Sequence, residues 1–384
     1  MAMHKNMYAE KALRVHKKLR GKISIVPKAA LTTKEELSTY YTPGVGAVSS
    51  YLAKHKTMVR DYTMKGNTVA VVSDGSAVLG LGNIGPEGAM PVMEGKCMLF
   101  KALAGVDAFP IVLNTQDVDE IVATVRNIAP VFGGINLEDI AAPKCFEVEA
   151  KLRKLLDIPV FHDDQHGTAM VVLAGLINAA KVVKRDLKTT RVVINGAGAA
   201  GQAIAKLLLL FGVKDIALLD SHGIIGPKRR DLDPFKKLLL KVTNPRKLDG
   251  DLLTALTEAD ICIGVSKAGA ITREHISAMT EKSIVFALAN PIPEIMPDEA
   301  LAAGAWVVAT GRSDFSNQIN NSLGFPGIFR GALDHRVREI TEAMLVQGAI
   351  NLAALVRRPT REQIIPGNFD PRVVRAVARA IRPL

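Results

Sequence analysis

The sequence predicts an α/β protein of two units, each built on a parallel sheet, and three observations carry that expectation. Short apolar runs alternate with amphipathic stretches between residues 68 and 162 and again beyond residue 190, the pattern of strands joined by helices that cross a parallel sheet. The chain has 384 residues, enough for two domains that each bury a core. One apolar run leads directly into glycines at 196, 198 and 201.

Taken in order, residues 9–20 read as a basic helix, and the charges of Lys5, Lys11, Arg14, Lys17, Lys18 and Arg20 stand where an export signal needs its apolar centre. A linker through Pro27 follows, and then Thr33 and Glu36 at capping-box spacing. This arm has no core of its own, and an isolated short helix is marginal in water. It is expected to pack on the body or on a second copy, as a homodimer or higher homo-oligomer. Residues 69–72, 109–113, 131–135 and 158–161 read as strands, with helices at 118–128 and 145–156. A long apolar helix at about 168–183 precedes strands at 191–195, 215–219, 261–264, 284–287 and 306–309; the tail from 331 to 384 reads as helical, broken by Pro359 and Pro366. The division falls between residues 1–165, with the arm, and residues 166–384, with the tail.

Composition narrows the class. Hydrophobic residues at 48% and charged residues at 23% are those of a globular chain and exclude disorder. Cys97, Cys145 and Cys262 are widely spaced, which gives neither a disulfide framework nor a thiolate metal site and fits a reducing cytoplasm. The greasiest stretches, 171–183 and 207–211, are shorter than the roughly 20 residues of a bilayer span, so a soluble protein without a membrane segment is expected. A net charge of +11 raises the question of nucleic acid, but aromatics are only 5% and no binding signature accompanies them. The charge reads as a solvated basic face, with a field that would also steer small anions.

The run Arg191-Val-Val-Ile-Asn-Gly-Ala-Gly-Ala-Ala-Gly201 is a strand entering GxGxxG and then a helix. Gly196 permits the turn, Gly198 lets backbone approach a pyrophosphate, and Gly201 lets helix pack on strand, leaving a helix N-terminus, with Ala199 and Ala200, aimed at phosphate. Residues 166–384 therefore read as a doubly wound, Rossmann-type NAD(P)-binding domain. Asp220, 19 residues after Gly201, is placed for ribose hydroxyls and favours NAD, while Lys228, Arg229 and Arg230 leave NADP open. Gly80-Leu-Gly82-Asn-Ile-Gly85 also fits the pattern, but Pro86 and Pro91 follow it and argue against a helix starting at its third glycine.

Two acidic pairs, Glu138-Asp139 and Asp163-Asp164, follow predicted strands of the first unit, where open α/β sheets bind ligands. Hard oxygen donors without cysteine, and with His162 in outer support, suit Mg²⁺ or Mn²⁺. Lys96 lies in an apolar, glycine-bounded segment, and its burial is expected to lower its pKa toward neutrality, as a general base requires.

The ordered set Tyr41-Thr-Pro-Gly-Val45, Asp74-Gly-Ser-Ala-Val-Leu-Gly-Leu-Gly-Asn-Ile-Gly85, Pro91-Val-Met-Glu-Gly-Lys96, Leu137-Glu-Asp139, Phe161-His-Asp-Asp-Gln-His-Gly-Thr168, Asn290-Pro291 and Asn320-Asn321 with Phe325-Pro-Gly327 resembles the malic enzyme family, in its short bacterial and archaeal branch. The resemblance covers residues 41–331. It implies Tyr41 as general acid, Lys96 as general base beside Asp163, and Glu138, Asp139 and Asp164 as metal ligands. It also implies Asn290 and Asn321 at the substrate carboxylate, with Asn290 next to the cofactor. Where long family members carry a substrate-binding arginine this chain has Ala77, so that contact does not transfer. The implied activity is oxidation of malate to oxaloacetate and decarboxylation to pyruvate. A non-redox oxaloacetate decarboxylase, a malolactic enzyme and, in another class, a dinucleotide-binding regulator are the alternatives; nucleic-acid binding is the least favoured.

Overall fold

The computed structural model describes residues 2–78 and 80–383; Leu79, part of the 74–85 motif, lies outside the described residues. The first sheet contains β1 (Thr68–Ser73), β2 (Asp107–Val112), β3 (Gly134–Leu137) and β4 (Val160–His162), all parallel in the order β2-β1-β3-β4. The second contains β5 (Arg191–Asn195), β6 (Asp215–Asp220), β7 (Gly223–Ile224), β8 (Ile261–Gly264), β9 (Ile284–Ala287) and β10 (Val307–Thr310) in the order β10-β9-β8-β5-β6-β7. Among the described residues, only β7 runs antiparallel. Order reverses at β5, with β6 on one side and β8 on the other, so the crevice at their carboxyl ends is the switch point of a doubly wound sheet.

Strand alternation sorts the side chains. Val69 and Val71 face a core that continues through the helix Asp163–Val183 to Val192 and Ile194, while Ala70 and Val72 face a second core with Ile121, Val125 and Leu152. Val193, Cys262 and Val285 fill a third, on the far side of the second sheet. The central helix thus belongs to both units. It is 21 residues long and apolar enough to cross a membrane by length and composition, longer than the sequence suggested, but 72% of its 18-residue window is buried inside the protein. It is a core helix, extended N-terminally because Asp163 and Asp164 occupy its first turn, where carboxylates favour the positive end of the helix dipole.

Several expected elements shift. Ala129–Val131 forms a 3-10 turn, so the strand foreseen at 131–135 is Gly134–Leu137. Contrary to the expectation from Pro86 and Pro91, a helix does start at Gly85: Gly85–Ala104 is a helix of 20 residues with Pro86 in its first turn. Amides there have no intrahelical acceptor, so proline costs nothing. Pro91 is tolerated inside the helix, and its carbonyl accepts a hydrogen bond from Lys22 Nζ at 2.5 Å. The tail helix Phe325–Asp334 returns to the first unit. Its Phe325 and Phe329 rings lie 4.7 and 5.5 Å from that of Phe100, each burial worth roughly 1.5–3 kcal/mol, and Arg330 Nη1 donates to Asn67 Oδ1 at 2.7 Å.

The arm differs from the rest. The capping box forms, with Glu36 N–H donating to Thr33 Oγ1 at 3.1 Å and Glu36 Oε2 accepting from Thr33 N–H at 2.9 Å. Yet the helices Lys34–Tyr40 and Gly44–Lys54 bury no residue.

Candidate active site

A cleft of about 790 Å³ opens between the two units. Lys96, Glu138, Asp139 and Asp164 line one side, Gly198, Ala199 and Ala200 another, and Asn290 and Asn321 the rest. Lys96 projects from the Gly85–Ala104 helix, and its Nζ lies 2.5 Å from both Glu138 Oε1 and Asp163 Oδ2. The Phe325 ring centroid is 4.3 Å from the same nitrogen. Glu138 Oε2 accepts from Asn136 Nδ2 at 3.1 Å.

Electrostatics here overturn one expectation. Burial presses the Lys96 pKa down, but Asp163, Glu138 and Asp164 outweigh it, and the net shift is upward, not toward neutrality. Burial pushes Glu138, Asp163 and Asp164 up, with Asp164 adding to the effect on Glu138. One ammonium among three carboxylates, Glu138 and Asp163 buried and Asp164 partly so, leaves net negative charge, which holds the lysine's proton and resists full ionisation of the acids.

One oxygen each of Glu138, Asp139 and Asp164 lies within 4.8 Å of the others. Asp139 has a left-handed φ of 53°, and its N–H donates to Asp164 Oδ2 at 2.8 Å, so the backbone turn itself holds the two strand ends together. Three hard oxygen donors this close together fit a divalent cation of the Mg²⁺ or Mn²⁺ kind. His162 Nδ1 is 3.8 Å from Asp164 Oδ2, and burial lowers its pKa to about 4, which keeps it neutral.

At the glycine turn, Gly196 has φ +126°, and a Cβ there would lie 2.4 Å from Val265 O. A Cβ on Gly201 would meet Gly196 O at 1.8 Å, whereas one on Gly198 would meet nothing within 4 Å. Two glycines serve close packing and the third keeps space open on the cleft. Asp220 ends β6 outside the cleft lining. Its Oδ1 accepts from His222 N–H at 2.9 Å and Arg229 Nη1 at 3.0 Å; its Oδ2 accepts from Arg229 Nη2 at 3.1 Å and Lys236 Nζ at 2.9 Å. Lys228 pairs instead with Asp249 at 3.0 Å.

Tyr41 is not brought to this cleft within the chain: it is 66% exposed. Sequence reasoning also passed over residues that the structure places at or behind the site. Lys22, from the arm, lines the cleft. Buried Glu149 accepts from His162 N–H at 3.1 Å and pairs with His166 Nε2 at 3.0 Å. Burial works against its charge, yet His166 and lesser neighbours hold its pKa at about 2. Neither residue belongs to a local pattern, so no sequence signal marked them.

A switch-point crevice with a phosphate-type glycine turn, facing a lysine among carboxylates, defines a two-unit dinucleotide-dependent enzyme. Residues 20–153 match the malic enzyme N-terminal domain and residues 165–381 the malic enzyme NAD binding domain. The chain belongs to the malic enzyme family. It is 53% identical over 375 residues to a bifunctional malic/malolactic enzyme of Bacillus subtilis (strain 168), covering 97% of this chain and 92% of that one. To an NAD-dependent malic enzyme of Geobacillus stearothermophilus it is 52% identical over 363 residues, 94% of this chain and 76% of that one. The crystal structure of an NAD-dependent malic enzyme from Thermotoga maritima superposes with a TM-score of 0.93 at 48% identity, over 97% of this chain and 98% of that one.

Proposed function

We propose that the chain catalyses metal-dependent oxidative decarboxylation of (S)-malate to pyruvate and carbon dioxide, through oxaloacetate, with reduction of NAD(P). The observation that carries it is the convergence of Lys96, the Glu138–Asp139–Asp164 oxygens, Asn290, Asn321 and the Gly198 turn on one cleft. Lys96 takes the proton of the C2 hydroxyl after passing its own to Asp163, and the dinucleotide supplies the acceptor for the C2 hydride. Glu138, Asp139 and Asp164 would hold a divalent cation, which would supply Lewis-acid stabilisation of the charge that develops as carbon dioxide leaves and would offset the carboxylate charge that holds the Lys96 proton. Asn290 and Asn321 hold a substrate carboxylate by amide donation. Tyr41 protonates C3 of the resulting enolate.

The exposure of Tyr41, together with Ile25, Val26 and Leu31 at 80%, 74% and 60%, supports a homodimer in which the arm covers a second copy and delivers Tyr41 to its cleft. The division at residue 165 is retained in this reading, with the tail helix Phe325–Asp334 bridging back. A cytoplasmic location fits the three free, buried cysteines.

Both dinucleotides are accepted in this reading. A carboxylate offers about four lone-pair positions, and Asp220 has four donors already. Ribose hydroxyls of NAD must displace one of them, while a 2′-phosphate meets Arg229 and Lys236. A second reading, redox-neutral conversion of malate to lactate, is favoured by the 53% identical relative, itself bifunctional.

The test is a spectrophotometric assay of malate with NAD or NADP, with Mn²⁺ present or chelated, and lactate measured alongside. Chelation should abolish turnover, and Asp164→Asn should weaken metal binding far more than dinucleotide binding. An unchanged metal requirement in that variant removes Asp164 from the site, and dinucleotide binding without any malate turnover leaves the regulator reading.

A further inference from the structure

Glu294 is a carboxylate with no exposed surface, and its role follows from what its two oxygens hold. Oε1 accepts from Ser266 N–H at 2.7 Å, in the segment leaving β8, and Oε2 accepts from Ala289 N–H at 3.0 Å, in the segment leaving β9. Val265, Ser266, Leu288, Ala289 and Asn290 all line the cleft. A Cβ on Gly264, the last residue of β8, would lie 2.6 Å from Glu294 Cδ, so the strand end is bare where the carboxylate seats.

Each tied segment touches another part of the site. Val265 O is the atom against which Gly196 packs, and Asn195 Nδ2 donates to Ser266 Oγ at 3.2 Å. On the other side, Asn290 O is the atom against which Gly80 of the first unit packs. In a doubly wound sheet one mononucleotide half lies over the strands on each side of the switch point. Asp220 marks the adenosine half at β6, so β8 and β9 carry the nicotinamide half.

We propose that Glu294 is a positioning residue for hydride transfer: it ties the ends of β8 and β9 and thereby fixes the nicotinamide wall of the cleft relative to Asn290. The proposal rests on reading the cleft as the site of malate oxidation. Burying a carboxylate is costly unless hydrogen bonds hold it, and here each oxygen takes the backbone N–H of one loop, with the Ser266 hydroxyl and the backbone N–H of Glu294 itself as further donors. Glutamine in its place has the same shape but one oxygen and one amide group, so one backbone N–H faces another donor and one loop is released.

The experiment uses full-length wild type, Glu294→Gln and Gly264→Ala, the second displacing the carboxylate without changing it. It measures kcat, the isotope effect with malate deuterated at C2, and the affinity of 5′-ADP as a probe of the adenosine half. Misplacement of reacting atoms by about 1 Å costs on the order of 10²-fold in rate, so kcat should fall by about that factor in both variants. The isotope effect should rise as hydride transfer becomes limiting, and 5′-ADP affinity should stay at the wild-type value. Wild-type kcat and isotope effect in folded variants, whatever their melting temperature, overturn the proposal. So does loss of 5′-ADP affinity in step with kcat, and so does failure of both variants to fold, which assigns Glu294 to folding alone. A wild-type protein that reduces no dinucleotide with malate sinks the functional reading instead, before any variant is made.

Discussion

Lys96 holds two carboxylates at 2.5 Å, and this contact couples its protonation to theirs. Removing it should abolish both malate oxidation and oxaloacetate reduction. Tyr41→Phe should retain oxaloacetate reduction better than exchange of pyruvate methyl protons with solvent. Loss of a general acid or base costs about 10² to 10⁴ in rate, enough to display this contrast; equal loss of every partial reaction in both variants would withdraw the separate roles. Cofactor choice is set at the same scale. Lys236→Ala removes a cation and frees an acceptor on Asp220, so kcat/KM for NADP relative to NAD should fall roughly tenfold or more, the worth of a charge-assisted hydrogen bond. An equal change with both dinucleotides would exclude Lys236 from the choice. The acidic pairs at 138–139 and 163–164 were legible because strand ends place them. Glu149, Lys236 and Glu294 were not, because each gains meaning only from a partner elsewhere in the chain: His162 and His166, Asp220, and the ends of β8 and β9.

Among the elements, those with a clean period were read correctly: the helix Val118–Ile128, whose Ile121, Val122 and Val125 share a buried face, and the strand Arg191–Asn195. The Gly85–Ala104 helix is not legible from its prolines, because Pro86 and Pro91 resemble helix breakers while a proline's cost depends on its place in the helix. The two-residue β7 has no period to detect. Lys144–Leu155 is joined to the start of the central helix by Glu149, which the structure holds at about 2 against a usual 4.5. The folded pKa lies below the unfolded one, so this contribution is complete above about 4.5 and is lost as pH falls from there through 2. Glu149→Gln should therefore lose unfolding free energy at pH 5, where the imidazole partner carries its charge, on the order of 3 kcal/mol at 1.36 kcal/mol per pKa unit. In denaturant titrations the gap to wild type should narrow between pH 4.5 and 2; a gap independent of pH would show that packing, not the charge, carries it.

On the scale of the whole molecule, the sequence already separated the coreless arm from the two packed units, because nothing before residue 41 offers an apolar face broad enough to fold alone. What would cover the arm is not legible in the sequence, since a contact between two copies would leave no local period. Leu37, Tyr40 and Tyr41 are 46%, 56% and 66% exposed on adjacent turns, an apolar surface that a second copy would bury. If Tyr41 works in its partner's cleft, each site combines Lys96 of one chain with Tyr41 of the other. Lys96→Ala and Tyr41→Phe homodimers are then both deficient, by different defects. Unfolding and refolding an equal mixture makes half of the dimers hybrid, and each hybrid contains one site with both residues intact and one with neither. Activity should therefore recover to about a quarter of wild type, the product of those two halves. If Tyr41 instead turns inward to its own Lys96, every chain in the mixture still lacks one of the pair, and mixing restores nothing. A monomer fully active at nanomolar concentration would remove the shared site altogether, leaving the chemistry of the cleft unchanged but requiring the arm to fold back over its own active site.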